Sequence, residues 1–419
     1  MGVASLSSSC SGTRIAAIVV TEEELNVRKA PQVGTPAGMR ALNQRAVLDR
    51  LRLEGPSTRP QIAKETGLSK PTVGQALLDL ERHGLVRPVG RTTAGPGRSA
   101  VVYEPNPAAA HVLGVDIGRQ RIRAAVSDLA GSVIARVDER NRCRSADSLV
   151  RKVRELAVRT VNDAGLELDD VITKVVGSPG VPDTRGRGMH HAPNLPGWER
   201  KGLLDELEAV LGPGLVVEND ANLAAVGEME FGVAKGVAVF VTVTVGTGIG
   251  MGIVIDGQLF RGAHGAAGEV GYLPYPESKE DPQVRGQFEG AAAAHSVVDR
   301  AKAIGLTQVR SARDVFVLAK AGDSRALEVV HDEAERLAYL VASVSAVLDP
   351  ELVVLSGGVG TNIELLQEPM ELALRRTTPL VPRIVAGELG DGAVLSGALA
   401  VGLTAARDLV FDQREAITL

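Results

Sequence analysis

The 419-residue sequence predicts a winged helix-turn-helix followed by a two-lobed α/β body. Three observations support this fold class. Apolar residues recur with helical spacing in three short segments between residues 40 and 83, and glycines and prolines separate the segments. A strand, a Gly/Pro-rich tip and a second strand follow at 85–104. Residues 112–137 and 238–260 then repeat one pattern, three apolar strands joined by glycine turns, which indicates two related lobes.

Composition excludes several classes of protein. A hydrophobic content of 44% with 23% charged residues is typical of a soluble globular protein, and we find no uninterrupted apolar run long enough to cross a bilayer, so we expect no membrane partner. Cys10 and Cys143 are too few for a disulfide framework or a cysteine-rich zinc site, which indicates a reducing cytoplasm. Residues 1–36 lack the features of a signal peptide and are expected to form a flexible extension, with Met39 as an alternative start of translation.

The charge is distributed unevenly along the chain. Residues 37–104 hold 11 Lys and Arg against 6 Asp and Glu, a net charge of +5. Residues 105–419 hold 32 basic and 42 acidic residues, a net charge of −10. A basic module on an acidic body is the pattern expected when a DNA-binding head is joined to a part that does not bind DNA.

The N-terminal module, residues 37–104, is predicted to contain three helices. The first spans about 40–53 and has an apolar face made of Leu42, Ala46, Val47 and Leu51. The second is capped by Ser57 or Thr58 and ends at Gly67 in a left-handed turn, with Ile62 and Ala63 facing inward. The third is capped by Ser69, carries Pro71 in its first turn and buries Val73, Ala76, Leu77 and Leu80. This is helix-turn-helix geometry.

The third helix occupies the position of a recognition helix. Its N-terminal half would present polar side chains to base edges in the major groove, namely Ser69, Lys70, Thr72 and Gln75. The strand pair at 85–104 would form the wing, where Arg91 and Arg98 flank the tip and would contact phosphates or a minor groove. The alternative is a helical hairpin used only for packing; agreement between helix spacing, turn chemistry, wing and charge favours DNA binding.

The body, residues 105–419, is predicted to have one lobe at about 110–217 completed by a C-terminal helix and another at about 218–400, with a cleft between them. Glycine turns at strand ends let backbone N–H groups approach a phosphate closely. The cleft would therefore suit a nucleotide or a sugar.

Several body motifs together resemble the ROK family of repressors, open reading frames and sugar kinases, specifically its regulators that carry a winged helix. The resemblance covers about residues 40–405 and rests on VDIG at 115–118, PGVPD at 179–183, APNLPGW at 192–198, ENDANLAAVGE at 218–228, TVGTGIGMG at 244–252, GAAGEVGY at 265–272 and LSGGVG at 355–360. It implies an actin/hexokinase-like (ROK sugar-kinase-like) fold for the body.

The resemblance also implies roles for individual residues. Asp220 matches the general base that accepts the proton of a sugar hydroxyl before phosphoryl transfer. The positions implied to bind the sugar or effector are Asn194, Asn219, Asp220, Glu269 and Glu289, and Tyr272 is grouped with them. The positions implied to bind a nucleotide, here in vestigial form, are Asp116, Gly118, Gly246, Thr247, Gly248, Gly357 and Gly358.

Each of these positions has a simpler interpretation. Asn219 and Asp220 would serve equally to cap the helix that starts near Ala221, although the surrounding motif favours the sugar site. Asn194 would be an ordinary turn residue before Pro196, Glu269 a solvated loop carboxylate, and Asp116 a residue that only orients a turn. Trp198 is expected in the core, and His190 and His191 are expected in a loop rather than as a metal pair.

Two departures from the family pattern limit the implied activity. Arg119-Gln120 stands where the kinases have a second glycine and a threonine or serine, so close backbone contact with a phosphate, and with it kinase activity, is doubtful. The implied zinc site needs a histidine and three cysteines, but Tyr272 stands at the histidine position, Gln287 at the last cysteine position, and no cysteine lies nearby. We predict no metal and no cofactor.

The sequence therefore predicts a cytoplasmic, DNA-binding transcriptional regulator, a repressor, whose degenerate kinase body senses a sugar or related metabolite. The expected partners are a double-stranded, pseudo-palindromic operator and a sugar effector, and the expected assembly is a homodimer or homotetramer. Two alternatives stay open: a sugar kinase with residual ATP-dependent phosphorylation through Asp220, and a regulator that has lost sugar binding.

Overall fold

The computed structural model describes residues 35–92, 99–183, 185–192, 195–276 and 286–416. It confirms the predicted fold class, a helix-turn-helix region followed by a sugar-kinase-like α/β body. The N-terminal module consists of α1 (Pro36–Glu54), β1 (Ser57–Thr58), α2 (Arg59–Thr66), α3 (Lys70–Arg82), β2 (Val86–Thr92) and β3 (Ala100–Pro105). Its three strands form one small sheet in the order β1-β3-β2.

Helix α1 differs from the prediction in its start and in its buried face. It begins at Pro36, where the Thr35 hydroxyl accepts a hydrogen bond from the N–H of Gly38, so the helix starts four residues earlier than predicted. Leu42 and Ala46 are exposed, and the buried residues are Gly38, Ala41, Val47, Leu48 and Leu51. Val47 and Leu51 were predicted correctly, whereas Leu42 and Ala46 were wrong, because α3 and the C-terminal helix pack on the side that carries Leu48.

The first lobe is a five-stranded mixed sheet with helices. Its elements are β4 (His111–Ile117), β5 (Arg121–Asp128), β6 (Val133–Arg140), α4 (Ala146–Asp163), β7 (Val171–Ser178), β8 (Val181–Asp183), β9 (Gly188–His190), α5 (Leu203–Leu211) and β10 (Leu215–Asn219). The strand order is β10-β7-β4-β5-β6; β4 pairs antiparallel with β5 and parallel with β7. Trp198 is fully buried in this lobe, as expected, and its indole N–H donates to the hydroxyl of Ser178 at 2.8 Å.

The second lobe repeats this topology. Its elements are α6 (Asp220–Phe231), β11 (Val239–Val245), β12 (Ile249–Ile255), β13 (Gln258–Leu259), α7 (Gln287–Ala292), α8 (Ala294–Ala303), α9 (Ala312–Lys320), α10 (Ser324–Leu348), β14 (Leu352–Ser356), α11 (Gly357–Gly360), α12 (Ile363–Thr377) and β15 (Arg383–Ala386). The last described helix, α13 (Ala393–Ala416), packs on the first sheet. The strand order β13-β12-β11-β14-β15 matches the first sheet strand for strand, which explains the internal sequence repeat.

Helices α6 and α13 pack against each other between the two sheets. Their approach is close because two glycines lie in the contact: a Cβ atom on Gly397 would lie 1.8 Å from the carbonyl oxygen of Leu223, and one on Gly227 would lie 2.4 Å from that of Ala393. The strand β10 continues to Asn219, and α13 packs on β4 and β7 from Ala393 onward. The first lobe therefore takes in residues 218–219 and 393–400, which the sequence placed in the second.

The far end of α13 completes the core of the N-terminal module. Val410 and Phe411 are buried among Val47, Leu48 and other residues of the helix-turn-helix. Arg45 forms an ion pair with Asp408, and the Arg52 guanidinium donates to the carbonyl of Arg407 at 3.0 Å. The module and the body are thus joined by a shared hydrophobic core as well as by the chain.

The segment 390–414, which includes α13, is long and apolar enough to cross a membrane, contrary to the expectation from sequence. However, 61% of its apolar window is buried inside the protein, against α6 and the first sheet. Its apolar character is therefore that of a core helix.

Candidate functional site

The two lobes enclose a cleft whose cavity measures about 300 Å³. Two equivalent hairpin turns face it, one between β4 and β5 and one between β11 and β12, because the lobes share a topology. The N-terminal ends of α6 and α11 also reach it. Most of the predicted site residues line this cavity: Asp116, Gly118, Asn219, Asp220, Gly246, Thr247, Gly248, Glu269, Tyr272, Glu289 and Gly357.

Asp220 lies half-buried on the floor of the cleft as the first residue of α6. One carboxylate oxygen accepts a hydrogen bond from the N–H of Ala221 at 2.8 Å. Burial raises the pKa of Asp220 to about 6 despite that hydrogen bond, and the charge of Glu289 acts in the same direction. A carboxyl group with this pKa can accept a proton or a hydrogen bond from a ligand hydroxyl near neutral pH.

Glu269 and Glu289 bring two more carboxyl groups to the same cavity. Burial, together with the charges of Asp220 and Glu289, raises the pKa of Glu269 to about 7. The carboxylate of Glu289 accepts a hydrogen bond from the N–H of Ile249 at 3.1 Å, which ties α7 to the start of β12. Three clustered carboxyl groups are well suited to bind the hydroxyl groups of a polyol.

Tyr272 and His191 form an aromatic wall beside these carboxyl groups. Their rings meet edge to face with centroids 5.2 Å apart, and both residues line the cavity. Burial raises the pKa of the Tyr272 hydroxyl, and the charge of Glu269 adds to that effect. His190 and His191 were both predicted in a loop; the structure separates them, because His190 ends β9 and pairs with Asp183 while His191 turns into the cleft.

Asn219 shows the simpler of its two predicted roles. Its side-chain oxygen accepts a hydrogen bond from the N–H of Asn222 at 3.1 Å and so caps α6, and its amide nitrogen donates to the carbonyl of Gly180 at 3.0 Å. Asn219 therefore caps α6 and also borders the cavity, and its predicted contact with a sugar stays a prediction. Asn194, the remaining predicted contact, lies outside the described residues.

An ion pair behind the carboxyl groups links the two lobes. The Arg261 guanidinium, which follows β13, donates to Glu218 of β10 at 2.8 Å. The other oxygen of Glu218 accepts from the side-chain amide of Asn222 at 2.9 Å. Glu218 belongs to the ENDANLAAVGE motif but had no predicted role, and Arg261 lies outside every recognised motif.

Asp116 is buried against Arg123, a partner that the sequence analysis missed. The Arg123 guanidinium donates to the carboxylate of Asp116 at 2.9 Å and lies 3.5 Å from that of Asp391. Burial still raises the pKa of Asp116 to about 6 in spite of Arg123. The register of the β4–β5 hairpin predicts this pair, because counting outward from the Arg119-Gln120 turn places Asp116 directly opposite Arg123.

The start of α11 requires glycine at its first position. Gly357 has a φ of +79°, and a Cβ atom there would lie 2.5 Å from the carbonyl oxygen of Val245. This contact brings the loop after β14 against the end of β11, beside the Gly246–Gly248 turn. Gly358 is exposed and is not among the residues that line the cavity.

The described part of the chain contains no group of three or more His, Cys, Asp and Glu side chains arranged to hold a metal ion.

The second candidate surface is the helix-turn-helix. Gly67 has a φ of +72° between α2 and α3, as predicted, and the Ser69 hydroxyl caps α3 by accepting from the N–H of Thr72 at 3.2 Å. Lys70 and Gln75 are exposed on α3, whereas Thr72 is half-buried. The Gln75 amide donates to Asp79 at 2.9 Å, so reading a base would require it to exchange that bond.

The wing consists of β2 and β3, paired antiparallel with Arg87 opposite Glu104. Arg91 is exposed near the end of β2, where it is free to approach a phosphate backbone. Arg98, predicted on the other side of the tip, lies outside the described residues.

A winged helix-turn-helix fused to a two-lobed, sugar-kinase-like body defines a class of DNA-binding transcriptional regulators. The chain belongs to the ROK family: the ROK family model matches residues 112–404, and an IclR helix-turn-helix domain model matches residues 45–90. The glucokinase relatives match about three fifths of this chain, and the xylose repressor relative from Caldicellulosiruptor bescii matches about four fifths of it.

Three relatives illustrate this similarity. A glucokinase from Halalkalibacterium halodurans is 30% identical over 277 residues, covering 62% of this chain and 83% of its own. A xylose repressor from Caldicellulosiruptor bescii is 24% identical over 364 residues, covering 82% of this chain and 91% of its own. A solved ROK family transcriptional regulator, a homologue of the E. coli MLC protein, superposes with a TM-score of 0.72 at 22% identity, covering 90% of this chain and 99% of its own, and shows the same fold.

Proposed function

We propose that the protein is a cytoplasmic transcriptional repressor that binds a pseudo-palindromic operator as a homodimer or homotetramer and releases it when a sugar or related metabolite enters the cleft. The observation that carries this proposal is the course of α13. The segment just before the helix contributes Asp391 to the cleft, its first residues Ala393 and Val394 line the same cavity, and Phe411 near its other end lies in the core of the DNA-binding module.

A ligand in the cleft would act on DNA binding through this helix. Contacts that favour a closed arrangement of the lobes shift the population toward that arrangement, and α13 would carry the change to the winged helix. In a dimer, two recognition helices spaced about 34 Å apart fit successive major grooves, so a small change in their spacing lowers operator affinity.

The chemistry of the cleft supports a sugar effector. Asp220, Glu269 and Glu289 are the acceptors for ligand hydroxyl groups, and Tyr272 with His191 supplies an aromatic face for the apolar side of a pyranose ring. The name of the xylose repressor relative agrees with this ligand class.

Kinase activity is the second candidate function, because Asp220 is retained and glucokinases are among the relatives. Two features argue against it. Arg119 and Gln120 are exposed on the turn where a phosphate would approach the backbone, and Arg123 occupies the carboxylate of Asp116. We propose that phosphoryl transfer has been lost, and ATP consumption over a sugar panel, with Asp220→Asn as the control, tests this directly.

The main test is fluorescence anisotropy of the full chain on a labelled fragment of its own upstream DNA at fixed salt, with D-xylose, D-glucose, N-acetyl-D-glucosamine and their phosphates as probes. We expect one probe to weaken binding, and Glu269→Ala to remove that response while leaving probe-free binding intact. Tight binding that no probe changes would support the alternative in which the cleft has lost its effector. Failure to bind the DNA at all would contradict the proposed function.

A further inference from the structure

The segment between Tyr272 and α7 is where the family resemblance implies a zinc site, and the residues present do not fit one. Residues 273–286 contain neither cysteine nor histidine. Tyr272 and Gln287 stand at two of the implied ligand positions, and neither a phenol nor a carboxamide belongs to the usual donor set of structural zinc. The side-chain oxygen of Gln287 already accepts a hydrogen bond from the N–H of Tyr275 at 3.1 Å.

Three aromatic rings meet at this place instead. Tyr275 contacts Phe288 and Tyr339 edge to face, with centroids 5.8 Å and 5.5 Å apart. Phe288 and Tyr339 stack at 6.2 Å with an interplanar angle of 30°. Phe288 is fully buried, and the Arg336 guanidinium lies 5.2 Å from the centre of the Tyr275 ring. These geometries are the favourable ones for aromatic pairs and for a cation over a ring.

Hydrogen bonds fix the backbone on both sides of the cluster. The Tyr339 hydroxyl donates to the carbonyl of Pro274 at 3.0 Å, and the N–H of Phe288 donates to the carbonyl of Leu273 at 3.2 Å. Gly286 lies so close to Gly271 that a Cβ atom on it would come within 2.1 Å of the Gly271 carbonyl oxygen. The two ends of the segment are therefore held together by contacts within the protein.

We propose that this cluster is a metal-free fastening, which holds the segment in place where the family uses a zinc ion and so positions the cleft carboxyl groups. The fastening consists of Tyr275, Phe288, Tyr339 and Arg336 with the amide of Gln287. Phe288 precedes Glu289 on α7, and the carboxylate of Glu289 holds the N–H of Ile249. Tyr272, Leu273 and Tyr275 follow Glu269 closely in the chain. Both carboxyl groups thus adjoin the fastened segment, and their importance for an effector rests on the proposed function, whereas the fastening itself does not.

The first test is the zinc content of the purified full chain. After incubation with zinc sulfate and gel filtration, mass spectrometry should find less than about 0.1 zinc ion per chain, and EDTA should leave the thermal midpoint unchanged. About one zinc ion per chain, with a lower midpoint after chelation, would overturn the proposal.

The second test is hydrogen exchange in Tyr339→Leu, with Tyr339→Phe as the conservative variant. Tyr339 is 37% exposed on α10, so its replacement should leave the fold intact. In the leucine variant we expect about tenfold faster exchange in residues 269–276 and 286–292 and at the Ile249 amide, with β14 and operator binding unchanged. The phenylalanine variant keeps the ring and should exchange like the parent.

Two results would refute the positioning role: unchanged exchange in Tyr339→Leu, or equal acceleration throughout β14, which would show general destabilisation of the lobe. Neither result depends on operator binding or on any sugar. Failure of the proposed regulatory function is therefore recognisable separately from failure of the fastening.

Discussion

The raised pKa of Glu269 makes the stability of the protein depend on pH in a way that one substitution can expose. The pKa is about 7 in the folded protein against 4.5 for an ordinary glutamate, because the carboxyl group is buried near Asp220 and Glu289. A folded-state pKa above the unfolded value contributes stability that is complete below about pH 4.5 and is lost as the pH rises through about 7. Replacing Glu269 by glutamine keeps the size of the side chain and removes the ionisation.

The size of the effect follows from linkage. With these two pKa values, ionisation of this group alone lowers the free energy of unfolding of the parent, relative to low pH, by less than about 1 kcal/mol at pH 5 and by about 3 kcal/mol at pH 8. We therefore compare the free energy of unfolding of Glu269→Gln with that of the parent at each pH. The difference should shift in favour of the variant by about 2 to 3 kcal/mol between pH 5 and pH 8. Urea unfolding followed by circular dichroism at the two pH values measures the difference.

Glu368→Gln on the exposed surface of α12 provides the matched control, because its side chain is solvated. It should show no change in relative stability between the two pH values. If Glu269→Gln gains no more at pH 8 than at pH 5, the carboxyl group is solvated or paired in the folded state, and the description of a crowded acidic cleft is wrong.

Three further predictions concern the rest of the molecule. Arg91→Ala should weaken operator binding and reduce the slope of log affinity against log salt by about 0.9, measured by anisotropy over a salt series; an unchanged slope would place this residue away from the phosphates. Phe411→Ala should lower the stability of the core that α13 shares with the winged helix by about 3 to 5 kcal/mol. Limited proteolysis of this variant should therefore cut the N-terminal module while sparing the body. Arg123→Ala should destabilise the first lobe by about 3 to 5 kcal/mol because Asp116 stays buried without its partner, and Asp116→Asn in the same chain should recover part of the loss in urea unfolding.

The sequence predicted most of the fold because its signals are local and repeated. Glycine turns bracket the strands of both lobes, and Gly67 with Ser69 marks the helix-turn-helix through chemistry confined to a few residues. The same turns predicted the cleft, since equivalent hairpins in two related lobes bring Gly118 and the Gly246–Gly248 turn to one cavity.

What the sequence missed depends on contacts between distant residues. The buried face of α1 depends on α3 and α13, which pack against it, so Leu42 could not be told from Ala41 by periodicity alone. His191 and Arg261 carried no recognised motif, and their positions depend on how loops from the two lobes meet. Arg123 was accessible to sequence reasoning through hairpin register, but only after a strand pair had been assumed.

The docking of α13 has a consequence for the synthesis of this protein. The DNA-binding module lies near the start of the chain, yet Arg45 and its partner Asp408 are 363 residues apart. At ordinary rates of translation, roughly 20 to 70 s separate the emergence of the two partners from the ribosome. During that interval the module lacks part of its hydrophobic core. We therefore expect an incomplete nascent chain, or one truncated before Phe411, to bind DNA poorly, because its DNA-binding module lacks the packing of Val410 and Phe411.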